Sequence, residues 1–139
     1  MTTVRELMST DLSCCTPVDN VYEAALKMKQ EDIGIIPIVE NNRLVGIVTD
    51  RDLVVRGIAD KNPGSNKITE VMTTDIVSVS PSDPVEKASE LMARHQIRRL
   101  PVVENGQLVG MLSLGDLAIE KYADDQAGYA LSEISEHHE

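Results

Sequence analysis

The strongest constraint on the fold of this chain is an internal repeat with a spacing of 64 residues. Residues 4–53 align with residues 68–117 without a gap, and 19 of the 50 aligned positions are identical. The identical pairs are spread along the whole unit and include Met8 and Met72, Asp19 and Asp83, Pro37 and Pro101, Gly46 and Gly110, and Asp52 and Asp116. Because a match of this length requires duplication, the chain is predicted to contain two copies of one folding unit.

Each copy predicts a helix in its first half. In the second copy, Asp83 is predicted as the N-cap, Pro84 as the first helical residue, and Glu86 as the acid three positions after the cap. Apolar residues then recur at helical spacing in both copies: Val85, Ala88 and Met92 in the second, and Val21, Ala24, Ala25 and Met28 in the first.

A β-hairpin is predicted to follow. Two short apolar runs, 35–39 and 44–48, are separated by Asn41-Asn42, and Asn105-Gly106 takes the same place in the second copy. The continuous apolar character suggests strands that are covered on both faces. Pro37 and Pro101 interrupt hydrogen bonding, so the first hairpin strand should be short or lie at a sheet edge.

Two further elements complete the predicted unit. A short strand is expected at 13–16 and at 77–79, and a second helix is expected to begin near Asp50 and near Leu114. The order per unit is then β-α-β-β-α, and the predicted fold class is α/β (α+β). The predicted divisions are a first repeat at 1–58, a linker at 59–67, a second repeat at 68–122 and a polar tail at 123–139, with a helix expected from Tyr129 to Ile134.

Charge and composition exclude several classes of function. The 139 residues carry a net charge of -10, which repels polyphosphate chains and anionic membrane surfaces, so neither nucleic acid nor membrane is an expected partner. No apolar run approaches the roughly 18 residues of a membrane span, and the first residues do not resemble a signal peptide. A cytoplasmic location is the expectation.

At this point the sequence resembles a known family, the CBS domains. The resemblance rests on the β-α-β-β-α unit, on the segments 46–52 and 110–116, and on the strand Ile97-Arg98-Arg99-Leu100-Pro101-Val102-Val103. The resemblance covers roughly residues 1–120, and the chain is similar to small stand-alone bacterial CBS-pair proteins. Such pairs form a Bateman module with a pseudo-two-fold axis and two clefts between the repeats, and they usually dimerise. The resemblance therefore implies a homodimer that binds AMP, ADP, ATP or S-adenosylmethionine as a regulatory ligand.

Candidate ribose-binding residues come from the pattern Gly-h-h-Ser/Thr-x-x-Asp, in which h is an apolar residue. In the family, its hydroxyl and carboxylate meet the ribose and the nearby phosphate, and here they are Thr49 with Asp52 and Ser113 with Asp116. An ionised carboxylate can accept hydrogen bonds from both ribose hydroxyls. The same spacing also forms a helix capping box, so the structural alternative stays open.

Candidate phosphate-binding residues are found mainly in the second copy. Arg99 and Arg98 precede its apolar strand, where the first copy has Ile35 and Gly34, and Arg51 is a third candidate. The planar guanidinium of arginine matches phosphate oxygens, although a solvated basic face is the alternative. We therefore expect an asymmetric sensor in which the second copy prefers a phosphorylated ligand.

Adenine requires a flat apolar slot with backbone groups for its edge. The residues predicted to supply it are Thr16, Val21, Ile36 and Pro37 in the first copy, and Ser80, Val85, Leu100 and Pro101 in the second. Ordinary core packing is the competing interpretation for each of them.

The predicted function is a nucleotide-responsive regulatory protein without catalytic activity, which acts on an unidentified partner protein through conformational change. No catalytic motif, catalytic cofactor or metal site is expected, since three histidines stand without a ligand constellation. The main alternative is a protein interaction module with no physiological metabolite. A weaker alternative is an enzyme or redox sensor that uses Cys14 or Cys15, although structural thiols are the simpler interpretation.

Overall fold

The computed structural model describes residues 1–124 of the chain. The helix predicted from Tyr129 to Ile134 and almost all of the predicted tail lie outside the described residues. The described elements are, in chain order, α1 (Val4–Leu7), α2 (Val21–Glu31), β1 (Ile35–Glu40), β2 (Arg43–Thr49), α3 (Asp50–Asp52) continuing as a π-helical segment (Leu53–Ile58), a 3-10 turn (Ile68–Glu70), α4 (Val85–His95), β3 (Arg99–Glu104), β4 (Gln107–Ser113) and α5 (Leu114–Asp124).

The chain divides into two compact units, which we name after their aligned aspartates. Among the described residues, the Asp52 unit contains Ser13–Ile76 and Gly106–Leu108, whereas the Asp116 unit contains Met1–Leu12, Val77–Asn105 and residues 109–124. The opening segment of the first sequence repeat therefore folds with the body of the second repeat. Compact units and sequence repeats are different divisions of this chain.

The aligned helices α2 and α4 begin in different ways. Asn20 caps α2 by accepting a 2.9 Å hydrogen bond at Oδ1 from the backbone N–H of Glu23. In α4 the prediction is wrong by one residue, because Pro84 is the N-cap and not the first helical residue. Asp83, the predicted N-cap, instead accepts a 2.8 Å bond at Oδ2 from the backbone N–H of Ser80 and so closes the preceding turn.

Both predicted hairpins are confirmed. In the Asp52 unit the strands pair antiparallel from Ile35 opposite Thr49 to Glu40 opposite Arg43. The turn residues Asn41 and Asn42 have φ of 52° and 66°, and Asn105 and Gly106 have φ of 54° and 80°. Positive φ at both central positions is the geometry that matches the twist of a two-residue hairpin, which explains the choice of asparagine and glycine.

Pro37 and Pro101 lie within β1 and β3, which have six residues each. In β1, Ile36, Pro37 and Ile38 are consecutive buried residues. Consecutive burial means that both faces of the strand are covered, which agrees with the unbroken apolar run in the sequence.

The strand predicted ahead of α2 and α4 is reduced to a single bridge in each unit. Cys15 pairs parallel with Ile38, and Val79 pairs parallel with Val102. The chain leaves the sheet at once, since Thr16 donates its backbone N–H to Asp19 Oδ2 in the following turn, at 2.8 Å. The observed order in each unit is therefore a bridge followed by α-β-β-α.

Each unit has its own aliphatic core. The core of the Asp52 unit comprises Cys15, Val21, Ala24, Met28, Ile36, Ile38, Val48, Ile68 and Val71. The core of the Asp116 unit comprises Val4, Val79, Ala88, Met92, Leu100, Val102 and Leu112. None of the helices within residues 1–124 is long and apolar enough to cross a membrane.

A bridged segment lies against the second hairpin strand of each unit. Ser9 exchanges backbone hydrogen bonds of 2.8 and 2.9 Å with Met111, and Thr73 exchanges bonds of 2.7 and 2.9 Å with Ile47. The adjacent glycine of the strand permits this approach. A Cβ on Gly110 would lie 2.6 Å from Met8 Sδ, and a Cβ on Gly46 would lie 2.6 Å from Met72 Sδ.

Candidate functional site

The predicted ribose pair of the Asp52 unit forms a capping box at the end of β2. Thr49 accepts a 3.1 Å bond at Oγ1 from the backbone N–H of Asp52, and donates its own backbone N–H to Asp52 Oδ2 at 3.0 Å. A third group joins them, since Thr73 Oγ1 lies 3.3 Å from Oδ1 and 3.2 Å from Oδ2 of Asp52. Both carboxylate oxygens are therefore within hydrogen-bond distance of a protein donor.

The corresponding pair of the Asp116 unit forms the same box with one oxygen left out. Ser113 accepts a 3.1 Å bond at Oγ from the backbone N–H of Asp116, and donates its backbone N–H to Asp116 Oδ2 at 3.0 Å. Asp116 Oδ1 takes no part in the box. Ser9, which aligns with Thr73, is exposed, and within residues 1–124 its hydroxyl forms no hydrogen bond to Asp116.

The capping interpretation is thus realised in both units, and it leaves the ribose interpretation open. A carboxylate has about four acceptor positions, of which the box uses one. The box also fixes the rotamer of the aspartate at the strand end. A carboxylate held in one orientation loses less conformational entropy when a ligand binds to it.

The arginines of the Asp116 unit lie at the same end of the hairpin as Ser113. The backbone N–H of Leu114 donates to the carbonyl oxygen of Arg98 at 2.8 Å, so Arg98 is directly beside the end of β4. Arg99 is the first residue of β3 and is half-buried, while the Arg98 side chain is exposed. The backbone positions of Arg98 and Arg99 and the capping box of Asp116 are consequently at one edge.

Arg51, the third phosphate candidate, belongs to the Asp52 unit. It is exposed in α3, and its backbone N–H donates to Asp50 Oδ1 at 2.8 Å. The residues that align with the arginine pair are Gly34 and Ile35, and neither carries a charge. The two units therefore place different charges at equivalent positions.

The predicted adenine residues separate into two groups. Thr16 and Pro37 are brought together because the backbone N–H of Cys15 donates to the carbonyl of Pro37 at 3.0 Å, and Ser80 meets Pro101 in the same way through Val79, at 3.1 Å. The other four are buried: Ile36 and Leu100 are 0% exposed, Val21 is 7% exposed and Val85 is 8% exposed. Contact of these residues with adenine stays a prediction.

The two thiols are poorly suited to reaction. Burial raises the pKa of the Cys14 thiol, and it raises the pKa of Cys15 to about 11 against the attraction of Lys27. Since the thiolate is the reactive form of cysteine, both side chains are held in the inert state. Nearby, the Thr16 backbone N–H lowers the pKa of Asp19. Within the described chain no three histidine, cysteine or acidic side chains are grouped to hold a metal ion.

Thr73 is the site residue that sequence reasoning missed. It lies 21 positions after Asp52, so no local motif connects them. A signal was nevertheless present, because Met8-Ser9 aligns with Met72-Thr73 in the repeat. A hydroxyl kept at one position in both copies is a candidate for contact with the other polar residues kept in both.

Comparisons with known proteins find a matching domain model and similar proteins. The model for the CBS domain matches residues 4–57 and 68–121. Uncharacterized protein YlbB of Bacillus subtilis is 53% identical over 138 residues, covering 98% of this chain and 93% of the relative.

Two solved structures of similar fold carry adenosyl ligands. The structure of CBSX2 in complex with AMP has a TM-score of 0.79 and 27% identity, covering 88% of this chain and 98% of that one. The CBS domain pair of protein MJ0100, in complex with 5′-methylthioadenosine and S-adenosyl-L-methionine, has a TM-score of 0.75 and 25% identity, covering 86% and 99%.

Proposed function

Because this chain belongs to the CBS-domain family and carries two copies of the domain, we propose that it is a regulatory module that binds an adenosyl ligand. The ligand is AMP, ADP, ATP or S-adenosylmethionine, and binding changes the conformation that a partner protein reads. The likeness to pairs that bind AMP, 5′-methylthioadenosine and S-adenosyl-L-methionine supports the adenosyl class. The protein acts by binding and not by catalysis.

One observation carries this proposal: the Asp116 carboxylate has a fixed orientation and an oxygen outside its capping box. Oδ2 is held by the backbone N–H of Ser113 at 3.0 Å, and Oδ1 faces no donor in the box. We assign Oδ1 to the ribose hydroxyls, and we assign Arg99 and Arg98 to the phosphate. An ionised carboxylate and a guanidinium both form charge-assisted hydrogen bonds, which are about twice as strong as neutral ones.

The proposal is tested by the ligand-induced shift in thermal unfolding of the full chain. AMP, ADP, ATP, S-adenosylmethionine, NADH and guanosine tetraphosphate are compared. A compound at about 100 times its Kd should add about 2.7 kcal/mol to the free energy of unfolding. If none of the six compounds shifts the unfolding midpoint, the proposal is contradicted.

Two variants separate ligand binding from capping. Arg99→Ala should remove most of the shift for a phosphorylated compound, and Asp116→Asn should weaken the shift for every adenosyl compound. The matched control is Arg94→Ala, because Arg94 is exposed, pairs with Glu90 at 2.7 Å within α4 and is not assigned to the ligand. If Asp116→Asn lowers the unfolding midpoint without reducing the ligand shift, Asp116 acts as a cap alone.

The second candidate function is an interaction module, and one feature of the Asp52 unit favours it. Three apolar side chains of the π-helical segment are exposed: Val54 by 57%, Val55 by 44% and Ile58 by 77%. We propose that a second copy of this chain covers them in a homodimer. Sedimentation equilibrium should report a dimer for the wild type and a shift to monomer for Ile58→Asp. A monomeric wild type contradicts the homodimer. A cytoplasmic location remains part of the proposal.

A further inference from the structure

The two units differ at a pair of touching residues beside the proposed site. In the Asp52 unit the pair is Gly34, which precedes β1, and Asp50, which begins α3. The backbone N–H of Asp50 donates to the carbonyl of Gly34 at 3.0 Å. A Cβ on Gly34 would lie 3.0 Å from Asp50 Oδ2, so this carboxylate lies directly against the glycine.

The same backbone contact holds different side chains in the Asp116 unit. The aligned residues are Arg98 and Leu114, and the Leu114 backbone N–H donates to the Arg98 carbonyl at 2.8 Å. The same backbone hydrogen bond thus joins glycine and aspartate in one unit and arginine and leucine in the other. Leu114 is 44% exposed and offers an apolar surface where the other unit has a carboxylate.

The exchange reverses the charge around the aligned ribose aspartates. Five aligned positions surround each site, namely Gly34, Ile35, Asp50, Arg51 and Asp52 in one unit and Arg98, Arg99, Leu114, Gly115 and Asp116 in the other. The first set has a formal charge of minus one even though Arg51 is counted, and the second set has a formal charge of plus one. A phosphate group therefore meets opposite fields at the two edges.

We propose that the Gly34–Asp50 pair determines the charge class of the ligand in the Asp52 unit, excluding phosphorylated compounds and accepting adenosyl compounds with an uncharged or cationic 5′ substituent. This inference rests on the proposed function. Asp50 disfavours a phosphate by like-charge repulsion, and Gly34 supplies no cation to offset it. Thr73 already donates to Asp52, so the ribose carboxylate of this unit has fewer free acceptor positions for any adenosyl ligand.

The test transplants the pair from one unit to the other in the full chain. To observe the Asp52 unit alone, binding is measured in an Asp116→Asn background by equilibrium dialysis against AMP and against adenosine. Gly34→Arg with Asp50→Leu should raise the affinity for AMP at least tenfold and leave the affinity for adenosine within about twofold. The gain should shrink as salt is raised from 50 to 500 mM, since exposed charges are screened. A change in folding alone would not produce that salt dependence.

The reciprocal exchange is the matched control. In an Asp52→Asn background, Arg98→Gly with Leu114→Asp should lower the affinity for AMP about tenfold without changing the affinity for adenosine. If both double variants bind adenosine and neither changes the affinity for AMP, the charge-class inference is overturned and the proposed function stands. Failure of the wild type to bind AMP, adenosine or S-adenosylmethionine overturns both.

Discussion

Replacing Gly110 with alanine should destabilise the Asp116 unit through close contacts with Met8 and Ser9. The new Cβ would lie 2.6 Å from Met8 Sδ, 3.0 Å from Met8 Cγ and 3.1 Å from the carbonyl oxygen of Ser9. The sulfur lies toward the flexible end of its side chain, but the Ser9 carbonyl is fixed by its bonds to Met111. Overpacking of this kind costs about 1–3 kcal/mol.

The net effect is smaller than the steric cost, because alanine also restricts the unfolded chain. Gly→Ala stabilises by roughly 0.4–1 kcal/mol through the unfolded state where the backbone tolerates it. We therefore expect Gly110→Ala to lower the free energy of unfolding by about 1–2 kcal/mol. Urea denaturation followed by circular dichroism measures this directly, and Gly46→Ala repeats the test at the contact with Met72.

A double-mutant cycle with Met8→Ala identifies the source of the cost. Removing Met8 Sδ and Cγ should reduce the penalty of Gly110→Ala by at least about 1 kcal/mol, which is a coupling typical of residues in contact. Gly57→Ala is the control, because a Cβ there meets no heavy atom within 4 Å. It should be neutral or slightly stabilising. An equal penalty for Gly110→Ala with and without Met8 would refute the contact with Met8 as the source of the cost.

Three further predictions concern caps, the missed hydroxyl and the buried thiol. Thr73→Val should lower the free energy of unfolding by about 1–2 kcal/mol, because Asp52 loses a donor; Ser9→Ala should change it by less than about 0.5 kcal/mol in the same urea titration, and equal losses would contradict this. Asn20→Ala should cost about 1 kcal/mol by removing the cap of α2, measured from the thermal unfolding midpoint, and no loss would contradict the capping role. The pKa of Cys15 is raised from 9.0 to about 11 in the folded protein. The protonated thiol therefore contributes fully to the free energy of unfolding below pH 9, and this contribution is lost as the pH rises toward 11. Urea midpoints between pH 8 and 11 should fall for the wild type and fall less for Cys15→Ala, and identical slopes would be the refuting result.

Local chemistry in the sequence predicted most of the secondary structure. The Asn41-Asn42 and Asn105-Gly106 turns require positive φ, and these residue types tolerate it, so both hairpins were predictable. The misplaced cap at Asp83 has a local cause as well. A carboxylate near a helix start can serve the turn before it as readily as the helix, and the proline after it donates no N–H.

The rest depended on distant contacts. The bridge of Cys15 to Ile38 is one residue long because the following turn diverts the chain, which no periodicity reveals. The donation from Thr73 to Asp52 joins segments 21 residues apart. The pairs Thr49 with Asp52 and Ser113 with Asp116 could be proposed as candidates because their pattern recurs in both copies, and their contact with a ligand stays a prediction. The burial of Ile36, Pro37, Leu100 and Pro101 could not be predicted, because a continuous apolar run does not say which side chains are covered.

The Asp116 unit is built from segments that are distant in the sequence, and this affects its folding during synthesis on the ribosome. It joins Met1–Leu12 with Val77–Asn105, so its first segment leaves the ribosome long before the segment that it packs against. The Asp52 unit draws almost entirely on one continuous stretch, Ser13–Ile76, and can assemble as soon as that stretch has left the exit tunnel. Domains fold as units during translation, and late partners delay folding. Val4, which is buried in the folded protein, therefore stays exposed to solvent until the second half of the chain is made.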